Sequence, residues 1–394
     1  MHILLINPNN DCFTNPVLVK IIEEVERDKS LSLTLALTRQ SMSAPDKFKQ
    51  VRQIYMKDIN VNWPKKIWKW GPILLNLIFL VGYCKKNMVS KILGVDPVGF
   101  ILAARIKSFL RKIEVHYLSF EIFFLTEVMN NKPFFKIKKK EIKYGKYLDV
   151  LVIQDKVRKE LLINENKWNN RPIECVFCPV APSLFSTDPY ARKLYRDKLG
   201  INENECVIVH SGSVDKWSGG ELLPKILAVG LPPNFRLLVH SKYKFNPENK
   251  AHKQLLQLAS TGYPLILHDQ YFADYEDYLN FLQVADVGLA LYEADFTTPY
   301  TGKNIDEVGL SSGKFSTYML LGIPTIATPN ASFIRLNKIY KFGTILYDVR
   351  EIGKHLQDLT VNMPVKNCKE LYMAELNPEK QIFKYVRLLT RKKI

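Results

Sequence analysis

The residues best suited to chemistry lie in the run EVGLSSGKFSTYMLLGIPTIAT, residues 307 to 328. Ser311, Ser312, Gly313 and Lys314 make a small, polar, basic turn. The apolar stretch behind it predicts a helix that stops at Gly322, ahead of Pro324 and a buried strand from Thr325 to Thr328. A helix start leaves backbone N–H groups without intrahelical partners, and the positive end of the helix dipole lies with them. A lysine at that point adds a full positive charge. The turn is therefore expected to hold an anion, a phosphate group above all.

Other candidates fall on loops that leave the carboxyl ends of strands. SGSVDKW puts Gly212, Ser213 and Lys216 after a strand at Cys206 to His210, Lys242 follows Arg236 to His240, and Tyr271 follows the apolar LILH. Alone, each lysine is a surface lysine; on one sheet edge, Lys216, Lys242 and Lys314 can converge on one anion. In the first half, Asp96-Pro97 closes the strand Val89 to Val95 and opens a helix, Val98 to Arg111, which makes Asp96 a helix cap at the edge that faces a ligand crevice in open parallel sheets. Glu121 follows the strand Glu114 to Tyr117 among aromatics, where burial would raise its pKa and suit it to acid or base work, or where it simply caps the next helix. His116 lies inside that strand and reads as packed. Cys175 and Cys178 form a CxxC in an apolar run with no second pair at zinc-ribbon spacing, so buried packing is the simpler reading.

The elements that must carry these groups alternate. A short buried strand at Ile3 to Ile6, a helix from about Pro16 to Asp28 and a strand at Leu31 to Leu37 open an α/β chain with a parallel sheet and right-handed crossovers. The loop after the first strand has no glycine, so the dinucleotide fingerprint is absent and a dehydrogenase is disfavoured. Pro179 to Pro189 breaks the pattern, and a new strand, helix, strand series follows. At 394 residues, with roughly 100 to 200 per domain, two domains are expected: residues 1–183 and 184–394, with a cleft between them and the last helix free to cross back to the first.

The formal charge is +17, and residues 1–190 hold 30 Lys+Arg against 18 Asp+Glu, so the excess sits mainly in the first half. An anionic partner fits this: a phosphate-rich small molecule, an acidic membrane surface or nucleic acid, with a merely solvated basic surface as the plain alternative. No helix-turn-helix, RNA-recognition or zinc-finger signature supports nucleic acid. The basic helix Lys136 to Tyr147 reads as a solvated face or a lipid contact. The apolar run Gly71 to Cys84 is preceded by three tryptophans and three lysines, is too short to span a bilayer, and reads equally as an interfacial helix or a core helix. Six cysteines with no secretory signal ahead of them fit a reduced, cytoplasmic protein.

The run GKFSTYMLLGIPTIAT resembles the signature of retaining glycosyltransferases of the GT-B fold, the large family-4 group: a lysine, two residues, an acid, Tyr, and later Gly-x-Pro before an apolar strand. VIVHSGSVDKW and LQVADVGLALY are similar to the family's donor-domain segments, and KILGVDPVGFILAARI and VHYLSFEIFF to weaker acceptor-domain ones. The resemblance implies two Rossmann-like domains, an acceptor-binding first and a donor-binding second. It implies transfer of a sugar from a nucleotide-sugar donor to a saccharide or lipid-linked acceptor, in surface polysaccharide or glycolipid assembly, with no cofactor and no metal. Gly212, Ser213, Lys216, Lys242, Tyr271, Ser311, Ser312, Gly313 and Lys314 would then face the donor, and Asp96 the acceptor. Thr317 stands where the family places a ribose-holding glutamate, and Gly309 where it places the paired one. Glu307 is near but out of register, and Glu121 is the nominee for the acceptor's base. The same departures fit a catalytically inactive GT-B partner subunit.

Overall fold

Seven strands form the first sheet: β1 (His2–Ile6), β2 (Ser32–Thr38), β3 (Arg52–Met56), β4 (Val89–Val95), β5 (Glu114–Leu118), β6 (Val150–Ile153) and β7 (Glu174–Phe177). They pair in parallel in the order β3-β2-β1-β4-β5-β6-β7. The second sheet holds β8 (Cys206–Ser211), β9 (Phe235–His240), β10 (Leu265–His268), β11 (Val287–Ala290), β12 (Thr325–Ala327) and β13 (Gly343–Ile345). Its order is β10-β9-β8-β11-β12-β13, again parallel. The computed structural model describes residues 1–9, 12–38, 48, 51–56, 71–272 and 274–391, with backbone alone at 71–73. The Trp- and Lys-rich approach at 62–70 lies outside the described residues.

Both sheets share one winding, in which the strand order reverses between the first and fourth strands. In open α/β sheets a ligand crevice opens at that reversal, outside the carboxyl ends. The central strands read as continuous apolar runs because helices cover both faces: Ile3 through Ile6 and Val207 through Val209 are wholly buried. β3 and β13 are edge strands, and neither carries a strong apolar pattern in the sequence.

The chain forms two compact units, residues 1–180 with 378–394, and residues 181–377. The last helix, Glu379–Thr390, belongs to the first unit. Its Ile382, Tyr385, Leu388 and Leu389 pack with Ile21, Ile22 and Val25 of the helix Pro16–Arg27. The Tyr385 hydroxyl also meets His116 Nδ1 at 3.0 Å. His116 is fully buried, as its place in a strand predicts, and its Nε2 meets Glu114, which also pairs with the buried Lys91 at 2.6 Å. Burial opposes ionisation of Glu114, but its bonds to His116 and Lys91 prevail and hold the carboxyl down at about 2.

Three expectations change. Asp96 does not cap a helix: the helix Asp96–Phe109 begins with Val95 in the cap position and no side-chain cap bond. Asp96 instead has φ +53, and its carboxylate accepts from the backbone N–H of Phe120 and Glu121 at 2.9 and 3.0 Å and from Asn9 Nδ2 at 3.2 Å. The basic helix, Lys132–Tyr144, is not only a solvated face. Lys138 and Glu141 are fully buried and paired at 3.0 Å, and Glu141 also accepts from Tyr117 and Asn166. The apolar helix Gly71–Lys86 divides its surface: Leu77, Leu80, Tyr83 and Cys84 enter the core while Leu74, Ile78 and Phe79 stay exposed. Among the described residues no helix is long and apolar enough to cross a membrane.

The Lys138–Glu141 pair generates a stability prediction. Glu141→Ala leaves the Lys138 ammonium buried without its carboxylate and is expected to cost about 3–5 kcal/mol in denaturant unfolding. A solvated helix face would instead lose less than about 0.5 kcal/mol.

Candidate functional site

Lys314 sits at the topological reversal of the second sheet. The helix Gly313–Leu321 starts beside it, with Ser312 as the cap: the Ser312 hydroxyl accepts from the Phe315 N–H at 3.1 Å and bonds the Tyr292 hydroxyl at 2.6 Å. The N–H groups of Gly313 and Lys314 find no acceptor among the described residues. At the far end the helix closes on Gly322 at φ +72, a left-handed conformation that explains why a glycine terminates it.

The Lys314 side chain runs toward the ends of β8 and β11. Its ammonium lies 5.0 Å above the Tyr292 ring just beyond β11 and 3.4 Å from His210 Nε2 in β8. Gly212, at φ +127 on the turn after β8, lies against it: a Cβ there would stand 3.6 Å from Lys314 Cε, an ordinary contact, so the backbone conformation rather than space calls for glycine. Among the described residues no carboxylate pairs with this lysine. Desolvation pushes its ammonium down to about 7. The His210 imidazole is held neutral, chiefly by burial and then by Lys314. Its Nε2 donates to the Ser213 carbonyl at 3.0 Å, which leaves Nδ1 buried and without a partner. Two unclaimed N–H groups, an uncompensated ammonium and a neutral ring around one glycine turn make a site for a polyanion.

A ring of tyrosines frames it. Tyr318 accepts from the Ser211 N–H at 3.0 Å, Tyr278 bonds the Ser211 hydroxyl at 2.9 Å, and Tyr275 bonds Thr317 Oγ1 at 3.2 Å. Thr317 donates to the Gly313 carbonyl and is almost fully buried, so its hydroxyl is occupied at both valences. Behind this ring, β9 and β10 each end in histidine. His240 and His268 face each other with Nδ1 atoms 3.0 Å apart, so the two rings hold one proton between those atoms. Burial, and then His268, pushes His240 down to about 4.

The structure brings Gly212, Ser312, Gly313 and Lys314 together, although the Ser312 hydroxyl is spent on capping. Ser311 Oγ is buried without a partner beside them. Ser213 contributes its carbonyl to His210 and is otherwise exposed. Lys216 is exposed and acts electrostatically on Glu293 and Asp295, on the loop after β11. Lys242 is exposed with its ammonium over Tyr243, and Tyr271 is about half exposed. Glu307 is gripped by Arg335 through two bonds of 2.7 and 3.2 Å. In the other unit, Glu121 lies beside Asp96 through its backbone N–H. Cys175 and Cys178 are free thiols, pushed by burial to about 11 and about 12. His210, Tyr275, Tyr278 and Tyr292 escape a sequence reading, though the recurrence of His at three adjacent strand ends is a signal that could have found the first.

No protein-family model and no curated protein matches the chain. Solved structures do. Sucrose-phosphate synthase from Thermosynechococcus elongatus aligns over 99% of this chain and 98% of its own at a TM-score of 0.68 and 15% identity. HepE from Anabaena in complex with UDP aligns over 99% and 100% at 0.71 and 13%. A structure described as trehalose-6-phosphate from E. coli bound with UDP-2-fluoro glucose aligns over 100% and 99% at 0.67 and 13%. Whole-chain similarity of this kind shows the fold: the chain has the GT-B fold, with two parallel-sheet α/β domains.

Two pH effects follow from the site. An anion beside Lys314 favours its charged form, so anion binding is expected to take up a proton above about pH 7, with affinity falling as pH rises further. Calorimetry in buffers of different ionisation enthalpy reads the uptake directly. For stability the sign is opposite. His116, His210 and His240 are held neutral when folded, so the unfolded chain takes up protons first as pH falls below about 6.5. Unfolding free energy should drop by about 1.4 kcal/mol per pH unit for each such histidine, down to about pH 4 for His240. His240→Gln should flatten that slope, and an unchanged slope would show that His240 does not carry it.

Proposed function

We propose that this chain is a glycosyltransferase that moves a sugar from a nucleotide-sugar donor to an acceptor hydroxyl, in the assembly of a surface polysaccharide or glycolipid. The observation that carries the reading is the Lys314 ammonium, with two unclaimed N–H groups, at the strand-order reversal of the donor-type sheet. The GT-B fold supports it, as do solved neighbours that hold UDP and UDP-glucose.

In the proposed reaction the glycosidic bond to the diphosphate breaks and positive charge develops on the sugar ring. The bonding electrons leave with the diphosphate. Lys314 and the N–H groups of Gly313 and Lys314 receive that charge, and Gly212 lets the phosphates approach the backbone closely. Lys216 adds positive charge from the same side, while Ser213, Ser311, Lys242 and Tyr271 lie toward the rest of the donor. The leaving group is neutralised by these groups without a metal, and the stereochemistry is retaining, as the family resemblance implies. On the acceptor side Glu121 takes the hydroxyl proton, with Asp96 holding the loop that carries it. The acceptor is a saccharide or a lipid-linked saccharide, handled in the cytoplasm at the inner face of a membrane.

A second reading has its own observation. Thr317 offers only a hydroxyl, sealed by Tyr275 and Gly313, and the Glu307 carboxylate is bound by Arg335, so neither position supplies a free carboxylate on the donor side. This favours a nucleotide-binding GT-B subunit without turnover.

Nucleoside diphosphates and their sugars are expected to raise the thermal midpoint, with one base preferred among UDP, GDP and ADP. Lys314→Ala should weaken that binding about 10- to 100-fold, the worth of a charge-assisted contact. Absence of any shift with all of these ligands sinks the reading. Binding without donor hydrolysis or transfer selects the inactive subunit instead.

A further inference from the structure

The end of the first sheet opposite its carboxyl edge presents a second surface. Three turns feed the adjacent strands β4, β5 and β6 at their amino ends, and each brings cations to the same edge. The helix end before β4 carries Lys85 and Lys86, both exposed, and the turn after it carries Met88, which is 84% exposed. The turn before β5 carries Arg111 and Lys112, both exposed, and follows a helix that ends on Phe109, which is 66% exposed. Lys146 stands exposed on the turn before β6, with its ammonium over the Tyr147 ring. Neighbouring strands run about 4.8 Å apart, so the three turns form one patch. A shallow cavity of about 330 Å³ opens in it between Lys107, Ser108, Arg111, Lys146 and Tyr147.

Acidic groups do little to neutralise this edge. Asp149 pairs with Lys107, and Glu114 is taken by Lys91 and His116. Among the described residues no carboxylate lies within ion-pair distance of Lys85, Lys86, Arg111, Lys112 or Lys146. Cations near helix C-terminal ends complement the helix dipole, which accounts for some of these side chains. The dipole gives no reason for a methionine and a phenylalanine held out in water at the tips of the same turns. Cations that ring exposed apolar tips match a surface that is anionic outside and apolar just beneath.

We propose that this edge of the first unit docks on an anionic lipid bilayer, with Met88 and Phe109 entering the interface and the Lys107–Arg111–Lys146 cavity receiving a phosphate headgroup. The proposal goes beyond sugar transfer and does not depend on it. A polyanion such as duplex nucleic acid would use the cations but gain nothing from the apolar tips.

The test is sedimentation of the full chain with vesicles, read without any activity assay. Binding is expected with phosphatidylglycerol-containing vesicles, weakening with salt, and not with pure phosphatidylcholine. Arg111→Glu with Lys146→Glu should lower the partition coefficient about 30-fold or more, taking each basic charge near an anionic surface at about 1 kcal/mol. Phe109→Ser with Met88→Ser should lower it severalfold at constant charge. Lys253→Glu, on an exposed helix of the other unit, should leave it unchanged. Thermal midpoints of all variants serve as the folding control. Three outcomes overturn the proposal: no binding to anionic vesicles, binding that ignores the edge substitutions, or loss of binding when millimolar glycerol phosphate is added, which would assign the cavity to a soluble phosphate. Tighter binding to duplex DNA than to vesicles, unaffected by Phe109→Ser, would overturn it as well.

Discussion

The candidate site rests on one electrostatic constraint: an ammonium is held at the mouth of a parallel sheet with no carboxylate partner among the described residues. Lys314 is surrounded by a neutral imidazole, an aromatic face and a glycine turn, and none of these can neutralise it. Desolvation leaves the group with a charge that is easily shed, and an anion placed beside it would favour the charged form. A carboxylate at that place would stabilise the empty protein and compete with the ligand. The polar neighbours fit this logic, since Tyr292 and Ser312 bond one another and His210 turns its N–H away to Ser213.

The same economy runs through the loops of the first unit. Asp96 adopts a left-handed conformation that non-glycine residues seldom take, and its bonds to Asn9, Phe120 and Glu121 tie together the segments after β1, β4 and β5. Arg158, almost fully buried, donates to Gln154 and to the Phe120 carbonyl, and Gln154 donates to the Ser119 carbonyl. Loop backbones at a sheet edge have no ladder to join, so side chains must supply their partners. These buried polar groups are thus the framework of the carboxyl edge.

The helix Glu379–Thr390 shows how far the chain reaches to complete a core. Its sequence is an ordinary amphipathic pattern, yet Tyr385 ends beside a histidine 269 residues away in sequence. The face it covers belongs to the first sheet, whose helix Pro16–Arg27 leaves apolar surface that only a second helix can bury.

The sequence by itself determined the central strands of both units, though not the edge strands β3 and β13, because buried parallel strands must be continuous apolar runs and because Gly322 and Pro324 punctuate a helix by backbone rules. It also marked the turn at Ser312, Gly313 and Lys314, since a helix start with its capping serine is a local feature. Tertiary structure alone decided what depends on neighbours far along the chain. It spent Asp96 on loop backbone rather than on a helix cap, buried Lys138 with Glu141, gave Glu307 to Arg335, and set His210 and Tyr292 beside Lys314. Local pattern reports the backbone a residue prefers. The partner of a charged side chain is fixed by which strands lie next to each other, and that order is not written in any short stretch.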